Sequence, residues 1–142
     1  MKKTIVAFTF IAALGLASCG NAQNKDESGQ SSEQSQVISK DIDVAEFEKL
    51  MIEGSGLLLD VRTDGEFASG HLKGASQIDY NSSSFKSKIA ELDKSTPVYI
   101  YCRSGARSGR AAKMMKGMGF AEVYNLEGGI LAWQRAGKGI ER

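Results

Sequence analysis

Residues 98–107 read VYIYCRSGAR, and this stretch decides the fold of the 142-residue chain. Its first four residues, Val98 to Tyr101, are apolar or aromatic, as in a short strand that is buried within a parallel sheet. After Cys102 the pattern breaks at a glycine-containing loop, and from Ala106 onward apolar side chains recur at helical spacing. A buried strand followed by a loop and a helix predicts an α/β domain with Cys102 at the carboxyl end of the strand.

The loop after Cys102 has the features that stabilise an anion. The thiolate is the reactive form of cysteine, and a helix N-terminus, converging backbone N–H groups and nearby arginines all favour it. Gly105 lacks a Cβ where the backbone must curl, and Ala106 begins the helix whose first N–H groups point at that place. Arg103 and Arg107 add positive charge. We therefore predict a nucleophilic Cys102 in a loop built mainly from backbone.

Apolar patterning and capping residues on both sides of this stretch predict further strands and helices in alternation. Asp43, with Glu46 three residues later, predicts the start of the first helix, and Asn81 predicts the cap of a later one. Other helices are expected at residues 64–69, after Gly105 and after Gly128-Gly129, and other strands at residues 57–61, 75–79 and 123–126. This alternation predicts a parallel sheet with helices on both faces, where ligands bind beyond the carboxyl ends of the strands.

The composition fits one small domain. A chain of 142 residues with 42% hydrophobic residues and one proline is long enough for a single core. Its formal net charge is +1, and becomes −1 once Lys2 and Lys3 are removed with the leader described below. A nearly neutral surface gives no electrostatic reason to expect DNA, RNA or an anionic membrane surface as a partner.

The first 18 residues have the pattern of an export signal. Two lysines precede an apolar run over residues 5–17, which is shorter than the roughly 20 residues that span a bilayer. Leu16-Ala17-Ser18-Cys19 then resembles the lipobox of bacterial lipoproteins, in which the signal is cleaved before a cysteine that carries lipid on its sulfur. The alternative is an ordinary secretory signal followed by an incidental cysteine.

Residues 19–36 are interpreted as a lipidated Cys19 and a flexible tether. Between residues 21 and 36 no aliphatic side chain is larger than alanine and none is aromatic, so the segment cannot bury a core. A thioether at Cys19 prevents a disulfide with Cys102. The chain is therefore expected to be exported and anchored through lipid to a bacterial membrane, at its periplasmic side or at the cell surface, with a folded domain over residues 37–142.

Five motifs of the folded domain resemble those of single-domain rhodaneses and occur in the same order. They are Leu58-Leu59-Asp60-Val61-Arg62, Glu66-Phe67, Gly70-His71-Leu72-Lys73-Gly74-Ala75, Tyr101-Cys102-Arg103-Ser104-Gly105-Ala106-Arg107-Ser108, and Leu126-Glu127-Gly128-Gly129 with Trp133. Together they span nearly all of the domain, which makes the resemblance far more specific than any one motif. It implies a small rhodanese-like α/β domain with a five-stranded parallel sheet and helices on both faces.

The resemblance also implies a sulfurtransferase. Cys102 would take sulfane sulfur from an anionic donor such as thiosulfate, hold it as a persulfide, and pass it to cyanide or a thiol. Arg103 and Arg107 would hold the donor, and Ser104 would add a hydroxyl donor. The loop residues expected to bind the donor or the persulfide are Arg103, Ser104, Gly105, Ala106, Arg107 and Ser108. No cofactor or metal is implied, a protein is a further possible sulfur acceptor, and a monomer is expected.

Asp60, Arg62 and His71 are expected at the rim of the pocket in supporting roles. Asp60 and Arg62, with Glu66, resemble the family's motif at this rim, and an ion-pair network is the simpler interpretation. His71 is the only histidine of the chain. No acidic or cysteine residues at metal-ligand spacing accompany it, so we interpret it as a hydrogen-bonded structural residue at a turn.

Two other functions stay open at this point. Cysteine phosphatases and arsenate reductases of the related fold place an arginine six positions after the cysteine, where this chain has Ser108, with Arg107 one position earlier. The shorter loop favours one sulfur atom over a phosphate group. A lipid-anchored persulfide carrier or protein-binding module would need only Cys102 and an exposed docking face, whereas the arginines of the loop favour small anionic donors.

Overall fold

The structure, a computed structural model, describes residues 37–142 and contains five strands and five helices within that range. The strands are β1 (Ile38–Ile42), β2 (Leu57–Asp60), β3 (Ser76–Gln77), β4 (Val98–Tyr101) and β5 (Glu122–Leu126). The helices are α1 (Val44–Glu53), α2 (Asp64–Ala68), α3 (Phe85–Ala90), α4 (Ala106–Gly117) and α5 (Gly129–Arg135). The predicted signal peptide, the lipidated Cys19 and the tether lie outside the described residues. None of the helices in residues 37–142 is long and apolar enough to cross a membrane.

The five strands form one parallel sheet in the order β1-β5-β4-β2-β3. The predicted α/β class and the five-stranded parallel sheet are therefore confirmed. β4 is the central strand, and all four of its residues are buried. Its carboxyl end lies at the middle of the edge where ligands bind in such folds, and Cys102 is the next residue.

Two hydrophobic clusters, one on each face of the sheet, hold the layers together. Ile100 belongs to the cluster that includes Met115 of α4, whereas Tyr99 belongs to the cluster that includes Phe47 of α1 and Trp133 of α5. Adjacent residues of β4 divide in this way because successive side chains of a strand point to opposite faces. The prediction of helices on both faces is confirmed, and β4 is fixed from both sides.

The first strand, β1, is not predicted by the sequence pattern. Its residues are Ile-Ser-Lys-Asp-Ile, and the central Lys40 and Asp41 are exposed because β1 is an edge strand that pairs with β5 alone. A strand with one partner and a polar centre lacks the continuous apolar run that identifies a buried strand. The structure therefore shows the pairing of β1 with β5, which the sequence pattern does not predict.

Asn81 is not a helix cap, which corrects one prediction. The helix α3 begins at Phe85 with Ser84 at the N-cap position, and the Asn81 N–H donates to the carboxylate of Asp79 at 2.8 Å. Side chains that bond nearby backbone groups in this way hold the chain in a turn instead of a helix. The prediction at α1 is confirmed, since the Asp43 carboxylate accepts the N–H of Glu46 at 2.9 Å.

Candidate active site

Cys102 lies directly after β4 and is the free cysteine of the described residues. Its side chain belongs to the hydrophobic cluster between the sheet and α4, and the residue is only 1% exposed. The Gly105 N–H donates a hydrogen bond to its Sγ at 3.2 Å. The sulfur therefore lies at the floor of the loop, against backbone amides, and a reactant must approach it through the loop.

The loop keeps its curled shape because glycines and two neighbouring elements support it. Gly105, which caps α4 at its N-terminus, has φ +88°, a conformation that other residues rarely adopt. The side-chain amide of Asn125 in β5 donates to the Gly105 carbonyl at 3.3 Å, and the Ile130 N–H of α5 donates to the Cys102 carbonyl at 2.9 Å. A Cβ at Gly129 would lie 2.4 Å from that Cys102 oxygen. Only glycine therefore lets α5 approach the loop this closely.

Hydrogen bonds make the Cys102 thiol more acidic than an ordinary cysteine. Burial, the largest single influence, opposes ionisation of the thiol. It is outweighed by hydrogen bonds from the Ser108 hydroxyl and from the N–H groups of Ser108, Ser104 and Arg107, so the pKa of the thiol is lowered. The Ser108 hydroxyl also donates to the Gly105 carbonyl at 3.2 Å.

The hydroxyl that helps to lower the pKa of the Cys102 thiol is that of Ser108, whereas the family resemblance implied a hydroxyl donor at Ser104. Ser108 is completely buried as the third residue of α4, so its hydroxyl has no competing water. The Ser104 side chain is exposed, and Ser104 acts through its backbone N–H. The sequence does not distinguish the two serines, because which of them turns inward depends on the point at which α4 begins.

Arg107 is held by Glu66 in a bidentate ion pair beside the sulfur. The Nη1 and Nη2 groups of Arg107 donate to the two carboxylate oxygens of Glu66 at 2.8 and 2.7 Å, and the side chains are 20% and 28% exposed. Hydrogen bonds from Arg107, opposed in part by burial, lower the pKa of Glu66 to about 2. The pair raises the pKa of Arg107, to which the charge of Cys102 also contributes. Arg107 is therefore near the sulfur, but Glu66 offsets its charge.

Asp60 and Arg62 form a second bidentate ion pair, which is almost completely buried. Arg62 donates to both oxygens of Asp60 at 2.6–3.0 Å and to the Gly70 carbonyl at 2.7 Å, and the two side chains are 5% and 0% exposed. The Arg62 guanidinium also lies 5.7 Å from the centre of the Tyr101 ring. The pair thus ties the end of β2 to the turn after α2.

Arg103 lies at a cavity of about 170 Å³ beside the loop, which Arg62 also lines. The cavity is also lined by Glu66, Gln134 and Leu131, and Arg103 itself is exposed. Among the described residues Arg103 takes part in no ion pair. The two arginines expected to hold the donor are therefore in different settings: Arg107 is paired beside the sulfur, and Arg103 carries an exposed charge at the cavity.

His71 has the contacts of a structural histidine. Its Nδ1 lies 3.2 Å from the Phe67 carbonyl oxygen, its ring stacks on the Phe67 ring with centroids 3.9 Å apart, and its backbone pairs with that of Glu141. Within residues 37–142 no group of three or more His, Cys, Asp or Glu side chains is placed to hold a metal ion.

Sequence analysis missed two residues that support the loop. The first is Asn125, whose only signal is an amide within the otherwise apolar Val123–Leu126 run; its Nδ2 also donates to Asp41 at 2.7 Å. The second is Glu66 in its role as the partner of Arg107. Glu66 and Arg107 are 41 positions apart, so no local sequence pattern predicts their contact.

The family comparison agrees with this geometry. The sequence profile described as the rhodanese-like domain matches residues 43–136. The chain belongs to the rhodanese-like domain family. Among curated relatives, a sulfurtransferase from Allochromatium vinosum is 42% identical over 81 residues, which are 57% of this chain and 74% of the relative. A thiosulfate sulfurtransferase from Vibrio cholerae is 35% identical over 100 residues, which are 70% of this chain and 92% of the relative.

The chain spans less than two thirds of some of its other relatives, and solved structures share its fold. The chain spans 59% of an uncharacterised Bacillus subtilis protein and 31% of a tRNA uridine(34) hydroxylase from Cytophaga hutchinsonii. A crystal structure of a rhodanese-like domain protein from Staphylococcus aureus matches with a TM-score of 0.62 at 30% identity, over 72% of this chain and 96% of that one. A Rhodopseudomonas palustris protein described as a possible tyrosine phosphatase matches with a TM-score of 0.59 at 27% identity, over 74% and 85%.

Proposed function

We propose that this rhodanese-like protein is a sulfurtransferase that moves sulfane sulfur from a small donor, such as thiosulfate, to cyanide or a thiol through a persulfide on Cys102. The observation that carries the proposal is the setting of the Cys102 sulfur. It lies at the end of the central strand, accepts the Gly105 N–H at 3.2 Å, and has a lowered pKa. Sulfurtransferases among the relatives support the same reaction class.

The reaction has two nucleophilic steps. In the first, the Cys102 thiolate attacks the outer sulfur of thiosulfate, the sulfur–sulfur bond of thiosulfate breaks, and sulfite leaves with the electron pair. The new terminal sulfur is an anion, and the converging N–H groups of the loop and the Ser108 hydroxyl stabilise it as they stabilise the thiolate. In the second step, cyanide attacks that terminal sulfur, leaves as thiocyanate and regenerates the thiolate.

Two features of the loop disfavour a phosphatase or arsenate reductase. Ser108 stands where those enzymes have the arginine that grips the oxyanion, and its hydroxyl faces the sulfur and the Gly105 carbonyl. The nearest arginine, Arg107, has both terminal nitrogens bonded to Glu66. A phosphate group at the sulfur would therefore meet a hydroxyl at position 108, and an arginine at position 107 whose end-on contact is already made with a carboxylate.

Turnover of thiosulfate and cyanide by the wild type and by Cys102→Ser tests the proposal. We expect the wild type to form thiocyanate, the variant to form none above background, and the mass of the wild-type protein to rise by one sulfur atom after exposure to donor. Thiocyanate formation by Cys102→Ser at the wild-type rate would contradict the proposal. As a second test, the wild type is incubated with phosphatase substrates, and no turnover of these is expected.

One observation favours the persulfide carrier as a second candidate. Cys102 is only 1% exposed, and a sulfur at the floor of the loop is reached more readily by a partner that reshapes the loop than by free solutes. The same experiment distinguishes the two functions. A wild type that gains one sulfur atom on Cys102 but forms thiocyanate no faster than Cys102→Ser would be a carrier.

The cellular location is a separate proposal that rests on the sequence. We propose that cleavage before Cys19 leaves a lipidated residue and a tether over residues 19–36, which hold a monomeric domain at the periplasmic side of a membrane or at the cell surface. Mass spectrometry of the protein from detergent extracts of cells tests this. A diacylated Cys19 at the mature N-terminus is expected, and an unmodified Cys19 would contradict it.

A further inference from the structure

Three donors converge on the carbonyl oxygen of Gly105, the residue before α4. The Gly109 N–H donates to it at 2.9 Å within the helix, the Ser108 hydroxyl at 3.2 Å, and the side-chain amide of Asn125 at 3.3 Å. A carbonyl oxygen has two lone pairs, and the helix takes one of them. The hydroxyl and the amide therefore share the other, which agrees with both bonds being longer than usual.

The Ser108 hydroxyl has one proton, so it cannot donate to this carbonyl and to the Cys102 sulfur at the same time. The hydroxyl is among the groups that lower the pKa of the Cys102 thiol, and Ser108 is completely buried. A buried carbonyl that loses a donor without a replacement destabilises the fold. The presence of another donor at the Gly105 carbonyl therefore decides how readily the hydroxyl can turn to the sulfur.

The Asn125 amide is unfavourable for the fold in one respect. The residue is 4% exposed in β5, and its Oδ1 is buried without a hydrogen-bond partner among residues 37–142. Such an oxygen destabilises a protein, and an apolar side chain of the same size would avoid it. The contribution of this amide therefore lies in its Nδ2, which donates to the Asp41 carboxylate at 2.7 Å and to the Gly105 carbonyl at 3.3 Å.

Asp41 fixes the orientation of this amide. It lies in β1, directly opposite Asn125 in the pairing of β1 with β5. An ionised carboxylate only accepts hydrogen bonds, so it holds the nitrogen of the amide and not the oxygen. The second hydrogen on the same nitrogen is then available to the Gly105 carbonyl. A chain of hydrogen bonds therefore connects an exposed residue of the edge strand to the loop around the sulfur.

We propose that Asn125, oriented by Asp41, is a positioning residue that releases the Ser108 hydroxyl to the Cys102 sulfur when this sulfur becomes an anion. As the thiol loses its proton to water, the hydroxyl turns from the Gly105 carbonyl to the thiolate, and the Asn125 amide keeps the vacated lone pair bonded. The inference rests on the proposed function for the step that it serves, because the thiolate is the nucleophile of sulfur transfer.

A double-mutant cycle on the rate of Cys102 alkylation by iodoacetamide tests the inference, with mass spectrometry of the Cys102 peptide as the readout. Asn125→Leu keeps the size of the side chain and removes the amide. We expect it to raise the pKa of Cys102 and to slow alkylation at pH 7 about threefold. At a pH that ionises the thiol in every variant, the rates should be equal. In Ser108→Ala, which has no hydroxyl to release, Asn125→Leu should slow alkylation no further.

Two outcomes of the cycle would overturn the inference. One is an Asn125→Leu variant that is alkylated at the wild-type rate at pH 7. The other is an equal slowing by Asn125→Leu with and without the Ser108 hydroxyl, since the amide would then only maintain the shape of the loop. The charged side chains around the loop are the same in all proteins of the cycle, and they include Asp41 of β1, Asp60 and Arg62 at the end of β2, Glu66 of α2, Arg103 and Arg107.

Asp41→Ala provides a test of opposite sign. Removal of a nearby negative charge lowers the pKa of a thiol, so the charge alone would make this variant react faster at pH 7. We expect it to react about twofold more slowly, because the Asn125 amide is no longer held towards the Gly105 carbonyl. Asp41→Asn keeps an acceptor oxygen at this position and should react at the wild-type rate. A rate in Asp41→Ala equal to or above that of the wild type would overturn the role of Asp41.

Glu127→Ala is the matched control for Asp41→Ala. Glu127 is exposed directly after β5, so this variant removes an equal charge without removing a bond to Asn125. We expect it to be alkylated no more slowly than the wild type. Slowing as large as in Asp41→Ala would overturn the inference, since loss of any carboxylate near this edge of the sheet would then have the same effect.

Alkylation separates this inference from the proposed function, because it reports the ionisation of Cys102 and needs no sulfur donor. The cycle therefore decides the inference even if the wild type forms no thiocyanate, a result that would contradict the proposed function alone. With thiosulfate and cyanide, kcat/KM in Asn125→Leu should fall by the same factor as the alkylation rate. If Asn125→Leu does not fold, Asp41→Ala, a change at an exposed residue, replaces it in the cycle with the same expected result.

Discussion

Two bidentate carboxylate–guanidinium pairs take their carboxylates from nearby residues, Asp60 and Glu66, yet they have different roles. Asp60 and Arg62 are 0% and 5% exposed, whereas Glu66 and Arg107 are 28% and 20% exposed and Arg107 lies beside the reactive sulfur. A buried pair cannot exchange partners without leaving a charge uncompensated. A partly exposed pair can, because water compensates the charge that is left. The same pair of charged groups therefore holds the fold together in one place and leaves a charge accessible beside the sulfur in the other.

Breaking the buried pair should have the largest effect. Asp60→Asn leaves the Arg62 guanidinium buried without its counter-charge, and we expect the free energy of unfolding to fall by about 3–5 kcal/mol. Urea denaturation at pH 7 measures this free energy of unfolding. The double variant Asp60→Asn, Arg62→Met removes the orphaned charge and should recover part of that loss. A single variant as stable as the wild type would show that the two pairs do not differ in this way.

Comparing Ser108→Ala with Arg107→Gln shows which of the two side chains affects the acidity of the Cys102 thiol more. Because Glu66 offsets the charge of Arg107, the Ser108 hydroxyl should matter more for the thiolate. We expect Ser108→Ala to raise the pKa of Cys102 and to reduce the alkylation rate at pH 7 severalfold, and Arg107→Gln to change it less. The pH profile of iodoacetamide alkylation measures both. A larger rise of the Cys102 pKa in Arg107→Gln than in Ser108→Ala would mean that the guanidinium stabilises the thiolate more than the hydroxyl does.

Breaking the partly exposed pair of Glu66 and Arg107 should lower the stability least. Glu66→Gln is expected to lower the free energy of unfolding by about 1 kcal/mol or less at pH 7, as for other partly exposed pairs. Since the pKa of Glu66 is depressed from 4.5 to about 2, the contribution is present above pH 4.5 and lost as the pH falls through 2. Denaturation at several pH values should show the two proteins converging over that range. A difference that is independent of pH would exclude the ion pair as its source.

The sequence predicts the parts of this molecule that depend on local patterns. A run of buried residues ending at Cys102, a glycine and then helical spacing are enough to place the nucleophile, and the Asp43 cap is found for the same reason. Asn81 misleads because a polar residue before a helix can serve a turn equally well. The partner of Arg107 is not predictable locally, since Glu66 is brought to it by the packing of α2 against the loop.

The last helix, α5, determines when the surroundings of Cys102 are completed during folding. The first amides of α5 bond the carbonyls of Cys102 and Arg103, and β5 supplies Asn125 to the loop. During synthesis the cysteine therefore emerges from the ribosome well before the segments that shape its surroundings. Until residues near the C-terminus have docked, the nascent thiol has the modest acidity of any unfolded cysteine. Activation is thus delayed until the domain is nearly complete.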